Sequence, residues 1–195
     1  MDKGKLRDVY KKRRQALSVD ELSAGNAALI ARLQDLRWPS EGYVHVFLPI
    51  LRHKEPDVWP FIHFFKRRYP SSHVVVSRTN LVDCSMEHVV LHNDLVLREN
   101  AWGIVEPLAG ERVSETALDV VIIPLLIADS KGNRVGYGKG FYDRFLAACR
   151  PDCVKIGLSY FDPIEQIADV QPFDVPLDML ITPKATYSFS LTVAM

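Results

Sequence analysis

Hydrophobic positions recur at helical spacing in two early stretches, then give way to short apolar runs divided by turns. Leu6, Val9, Tyr10, Arg13 and Leu17 follow the helical repeat of a basic amphipathic helix over residues 2–16. Ser18 followed by Glu21 is a capping box, which predicts a second helix to about residue 36, striped by Leu22, Leu29, Ile30, Leu33 and Leu36 and stopped by Trp38-Pro39. A strand is expected over 43–49, a third helix from Glu55-Pro56 to about 69, and a strand over 72–77. Short antiparallel strands over 86–91 and 95–97 flank the turn His92-Asn93-Asp94, and residues 103–107 read as a loop. Residues 118–127 are nearly all apolar, the pattern of a central strand buried on both faces. Further strands are expected over 154–159 and 179–182, with a tail strand in 187–193, while 166–178 lacks periodicity and is assigned no element. Strands alternating with helices predict an α/β fold with a mainly parallel, helix-flanked sheet.

A chain of 195 residues that is 48% hydrophobic suits one domain, spanning 1–195, with a proper core. The balance of 24 basic against 24 acidic residues argues against a dedicated nucleic-acid binder. Residues 1–14 are charged, unlike a secretory signal, and no apolar run approaches the ~20 residues of a membrane helix. Cys84, Cys149 and Cys153 form no framework pattern, so packing residues in a reducing cytoplasm are expected, and a monomer is the expectation at this size.

The chemistry concentrates in Arg134-Val135-Gly136-Tyr137-Gly138-Lys139-Gly140-Phe141-Tyr142-Asp143-Arg144. These residues lie between the central strand and a helix beginning near Phe145-Leu146. Glycines at alternate positions leave backbone N–H groups able to face an anion, and the helix start adds unpaired N–H groups and partial positive charge. Arg134 and Lys139 add full charges, so the stretch reads as a site for a nucleotide or another phosphate. It is neither a dinucleotide fingerprint nor a P-loop, because its glycine spacing differs and no Ser or Thr follows Lys139. Asp143 falls in the first helical turn, where the helix dipole favours any carboxylate and where one can also ligate magnesium. Tyr137, Phe141 and Tyr142 are core residues or stacking faces for a flat ring. Lys3, Lys5, Arg7, Lys11, Lys12, Arg13 and Arg14 read as a solvated helix face, and the six histidines as structural or surface residues.

The stretch from Arg134 to Arg144 resembles the signature of the 5-formyltetrahydrofolate cyclo-ligase (methenyltetrahydrofolate synthetase) family. Lys3-x-x-Leu6-Arg7, Arg13-Arg14-x-Ala16-Leu17-Ser18, Trp102-Gly103-Ile104-x-Glu106-Pro107, Lys155-Ile156-Gly157 and Val175-Pro176-Leu177-Asp178 resemble other family motifs in the same order. The resemblance implies a three-layer α/β/α fold like that of the NagB, ribose-phosphate isomerase and CoA-transferase group. It also implies that 5-formyltetrahydrofolate and ATP become 5,10-methenyltetrahydrofolate, ADP and phosphate, with magnesium as cofactor. By the same resemblance Lys3, Arg7, Arg134, Gly136, Gly138, Lys139, Gly140 and Tyr142 contact ATP, with Arg134 and Lys139 stabilising the transferring phosphoryl. Leu48, Glu55, Trp102, Tyr137, Phe141 and the shared loop residues Gly138, Lys139 and Gly140 line the folate site, and Asp143 and Asp178 hold magnesium. The chain departs from the family pattern at Glu55-Pro56-Asp57-Val58. The alternatives are a non-catalytic folate or nucleotide binder, or a sugar-phosphate isomerase or CoA transferase using Glu55 or Glu106.

Overall fold

The computed structural model describes residues 1–80, 82–101 and 103–190. In chain order the elements are α1 (Lys3–Ala16), α2 (Val19–Asp35), β1 (Gly42–His45), α3 (Trp59–Arg68), β2 (Ser72–Asn80), β3 (Ser85–Val90), β4 (Leu97–Glu99), β5 (Val105–Pro107), β6 (Arg112–Val113), β7 (Val120–Pro124), β8 (Ile127–Ala128), β9 (Arg134–Val135), α4 (Phe141–Ala148), β10 (Val154–Leu158), β11 (Met179–Ile181) and β12 (Thr186–Ser188). The main sheet runs β12-β11-β10-β7-β1-β2-β3-β6. Its five middle strands, β11 to β2, are mutually parallel, and antiparallel strands close both edges.

Successive residues of the central strands point to opposite faces, and the core divides accordingly. Val44, Val74, Val76, Val120, Ile122 and Ile156 pack with Leu29 and Leu33 of α2 and Phe61 and Phe65 of α3. Val75, Val121 and Ile123 pack on the other side with Phe145 and Leu146 of α4. The result is the three-layer arrangement implied by the family resemblance. The expected strand over 118–127 is buried on both faces but stops at Pro124, which has no N–H to continue a ladder. Beyond it the chain leaves the sheet, and β8 forms a separate hairpin with β9. α1 joins neither layer: Leu6 and Tyr10 pack with Leu126, Ile127, Val135 and Ile167 over that hairpin.

The capping box at α2 is present in both directions, with Glu21 N–H donating to Ser18 Oγ (3.1 Å) and Ser18 N–H donating to Glu21 Oε2 (2.8 Å). Three boundaries differ from expectation. α3 begins at Trp59 because Glu55 turns inward instead of capping it, and Asp57 Oδ1 accepts from Trp59 N–H at 3.0 Å. β3 pairs with β2 and β6, not with the stretch at 95–97. β4 pairs with β5, so the expected loop over 103–107 contains a strand. Of the expected tail strand, β12 occupies its start and 191–193 lie outside the described residues.

Gly157 tests the packing between β10 and the segment before β11. A Cβ there would lie 2.6 Å from Leu177 Cδ1 and 2.7 Å from Leu125 Cδ2, and both leucines are buried. Gly157→Ala is expected to cost about 1–3 kcal/mol by overpacking, read as a lower urea midpoint at unchanged slope.

Candidate active site

A cleft of about 670 Å³ opens where the carboxyl ends of β1 and β7 meet α1, the glycine loop and residues 169–174. This is the expected position for a ligand site on an open parallel sheet. Lys3, Arg7, Arg134 and Lys139 stand around the glycine loop and residues 169–174, and the rest of the lining is mostly apolar with Lys11, Arg52 and His53 among it.

The glycine loop shapes the cationic end. Gly138 and Gly140 have φ of 87° and 72°, a region that disfavours side chains. A Cβ on Gly138 would also sit 2.8 Å from Arg7 Cζ, so the missing side chain leaves room for the Arg7 guanidinium against the loop. Gly136 is different: its φ is not positive and a Cβ there would meet nothing within 4 Å. Gly140 is the N-cap of α4 and offers no side-chain bond to the first helical N–H groups. Arg7 Nε donates to Gly136 O at 3.0 Å. Lys3 is fixed from the far end of the sequence, its N–H donating to Asp169 Oδ1 (2.7 Å) and its ammonium pairing with Asp174.

Arg134 extends from β9 with its side chain 6% exposed and its fork divided between two partners. One nitrogen donates to Val175 O and the other to Asp143 Oδ1 at 2.7 Å. Burial pulls its pKa below the usual guanidinium range, and the Asp143 charge opposes that pull. Asp143 Oδ1 also accepts from Val175 N–H at 3.3 Å. One carboxylate beside Arg134 and the glycine loop fits magnesium, which can take most of its ligands from phosphate and water. Asp178 does not fit. It stands before β11, its Oδ2 taken by Lys155 N–H (2.8 Å) and Lys155 Nζ (3.0 Å), and it does not line the cleft. The carboxylate that its segment brings to the cleft is Asp174. Among the described residues no three His, Cys, Asp or Glu side chains gather as a metal cluster.

The apolar end is lined by Phe47, Leu48, Ile50, Met86, Ile104 and Val105, with Tyr137 and Phe141 from the loop. Glu55 is buried there. Its Oε2 accepts from Ile50 N–H at 2.7 Å, closing a loop that includes Lys54 in the left-handed region, while the buried Oε1 makes no hydrogen bond of ordinary length and the carboxylate's other neighbouring donor is the Tyr137 hydroxyl. Burial raises its carboxyl pKa above the usual range, and the Ile50 N–H, the Tyr137 hydroxyl and the Arg14 charge only partly oppose this. The Tyr137 ring stacks on His53 at 4.9 Å between centroids, and its hydroxyl accepts from the buried Arg14. Burial, with the nearby Glu55 charge, pushes the Tyr137 hydroxyl pKa up, so it stays protonated. Glu106 lies on β5 outside the cleft lining, its Oε2 accepting from Thr79 N–H (2.9 Å) and Oγ1 (2.7 Å), which leaves it unsuited to serve as a base or nucleophile. Trp102 lies outside the described residues.

A family model described as the 5-formyltetrahydrofolate cyclo-ligase family matches residues 1–183. The chain belongs to that family. The 5-formyltetrahydrofolate cyclo-ligase of Haemophilus influenzae is 35% identical over 92 residues, 45% of this chain and 49% of that protein. That of Mycoplasma genitalium is 37% identical over 70 residues, 35% of this chain and 41% of the relative, so the chain spans less than half the length of either in these matches. The Mycoplasma pneumoniae protein of the same name aligns at 27% identity over 184 residues, 93% of this chain and 98% of that one. Among solved structures, the 5,10-methenyltetrahydrofolate synthetase of Aquifex aeolicus superposes with a TM-score of 0.80 at 26% identity, covering 100% of this chain and 96% of the other.

Within this cyclo-ligase family member, the cleft gathers Lys3, Arg7, Leu48, Glu55, Arg134, the 136–142 loop and Asp143. Groups that sequence reasoning passed over line it or support it from behind. Arg14 is 3% exposed and braces Tyr137, although its neighbours along α1 are exposed. Asp169 and Asp174 lie in the stretch without periodicity, where nothing local announces a contact with Lys3. His45 and His88 are buried and bracket the cleft-lining Ser77, with His45 Nε2 at 2.7 Å and His88 Nδ1 at 3.1 Å from its Oγ. Burial holds the His45 pKa well below its usual value and lowers that of His88 to about 4, against the pull of Glu115, so both are neutral near pH 7.

Proposed function

We propose that this chain couples ATP cleavage to ring closure, converting 5-formyltetrahydrofolate to 5,10-methenyltetrahydrofolate with release of ADP and phosphate. The observation that carries the reading is the division of one cleft. A cationic set around a glycine loop adjoins apolar lining that contains a buried carboxylate oxygen with no hydrogen bond of ordinary length. A folate supplies N–H donors on a flat ring that can satisfy Glu55 Oε1, and an aromatic body that suits Leu48, Phe47 and Tyr137.

The chemistry needs an amide made electrophilic. The formyl oxygen attacks the γ-phosphorus, the bond to the β-phosphate oxygen breaks, and ADP leaves. N5 then carries an iminium bearing the phosphorylated oxygen. N10 adds to that carbon and loses its proton. The carbon–oxygen bond breaks with release of phosphate, leaving the methenyl bridge. Positioning and charge neutralisation dominate such a sequence. Arg134 and Lys139, with loop N–H groups, stabilise the transferring phosphoryl, while Lys3 and Arg7 hold the polyphosphate. Magnesium on Asp143 would add charge neutralisation at the phosphates.

The test is to mix purified protein with 5-formyltetrahydrofolate, ATP and magnesium and follow the near-ultraviolet absorbance of the methenyl product. A rise that requires both ATP and magnesium is expected. No rise, with ATP binding retained in calorimetry, would leave a nucleotide site and discard the folate reaction.

A further inference from the structure

Phe173 is a large apolar side chain left 70% exposed on the wall of the cleft. Scattered exposed apolar residues are ordinary on any surface. Phe173 differs because hydrogen bonds tie its backbone on both sides. Residues 171–174 form a turn closed by Asp174 N–H donating to Gln171 O (3.0 Å) and by Gln171 N–H donating to Asp174 Oδ2 (2.6 Å). Pro172 restricts the backbone immediately before it. Asp174 also takes the Lys3 ammonium, and Val175 O takes the Arg134 guanidinium. The aromatic ring is therefore displayed on the turn that holds Lys3 and adjoins Arg134, and it belongs to none of the buried core clusters.

The direction of the nucleotide follows from the division of the cleft. Its γ-phosphate must face the apolar end, where the formyl oxygen arrives. The α-phosphate, ribose and base then run the opposite way, towards residues 169–174. We propose that Phe173 is the face on which the base of the nucleotide stacks. This inference rests on the ATP-dependent reading above and adds a base subsite to it. Stacking on a preformed aromatic face gives affinity with little ordering cost.

The experiment compares wild type, Phe173→Ala and Phe173→Trp in three readouts: the Michaelis constant for ATP, the Michaelis constant for the folate substrate, and inhibition by inorganic tripolyphosphate, which has the charge but no base. Phe173→Ala should raise the Michaelis constant for ATP about tenfold, with the other two readouts held within about twofold. Phe173→Trp should restore ATP use, and its added tryptophan emission should respond to ATP but not to tripolyphosphate. A Michaelis constant for ATP in Phe173→Ala within about twofold of wild type would overturn the proposal. Parallel weakening of ATP and tripolyphosphate would also overturn it, because that pattern marks damage passed through Asp174 to Lys3. Wild-type protein that binds ATP no better than tripolyphosphate would discard the base subsite alone. Wild-type protein that binds neither would discard the nucleotide reading, and the Phe173 proposal with it.

Discussion

Arg134→Ala is expected to reduce kcat/KM for ATP by about a thousandfold, roughly 4 kcal/mol of transition-state stabilisation. The substitution removes a cation held beside the glycine loop and also unties Asp143, which accepts from Arg134 at 2.7 Å. Arg134→Lys should recover little, because one guanidinium nitrogen serves Val175 O while another serves Asp143, and a lysine cannot span both. Steady-state kinetics with each substrate varied in turn provides the check, alongside calorimetry for ATP. Unchanged ATP affinity with only the folate KM affected would show the assignment of Arg134 to be wrong.

Glu55→Gln is expected to act on the opposite end of the cleft, lowering kcat/KM for the folate substrate roughly a hundredfold while ATP affinity moves little. The amide keeps an oxygen for Ile50 N–H but cannot offer a charged acceptor from the position of Oε1. The pH dependence has a definite sign. Burial raises the Glu55 pKa above 4.5, so the unfolded chain ionises this group first. Its contribution to stability is complete below 4.5 and is lost as pH rises through the raised folded value. Thermal melts across that range should therefore shift in favour of Glu55→Gln relative to wild type as pH rises. Over the same range the wild-type KM for the folate should fall as the carboxylate forms. An unchanged folate KM in Glu55→Gln would remove Glu55 from substrate recognition.

The sequence made the central architecture legible where local signals were strong. The capping box at Ser18 and Glu21, the two-sided apolar run ending at Pro124 and the glycines at 138 and 140 each impose a conformation within a few residues. The cleft was legible in part because its loop is contiguous. Its other walls depend on contacts with no local periodicity. Lys3 meets Asp169 and Asp174 across separations of 166 and 171 residues, and Arg14 meets Tyr137 across 123. Arg14 looks like its exposed neighbours until the α1 face is known. Glu55 looks like a helix-start carboxylate until its bond to Ile50 turns it inward. Asp178 lies within a matched motif, yet Lys155 occupies it and Asp174 reaches the cleft instead.

The pairing of Lys3 with Asp169 and Asp174 joins two stretches from near opposite ends of the sequence at one corner of the cleft. Closing so long a loop carries a large entropic cost for few bonds, whereas the β1–β7–β10 core assembles around much closer neighbours. On a growing polypeptide, that core can form before the segment containing Asp169 and Asp174 has emerged. The corner therefore closes after that core. A polyphosphate bridging Lys3, Arg7 and Arg134 would act as an additional fastener across that seam. Amide exchange in α1 and in residues 169–176 should slow when nucleotide is added, even if the central sheet is unaffected.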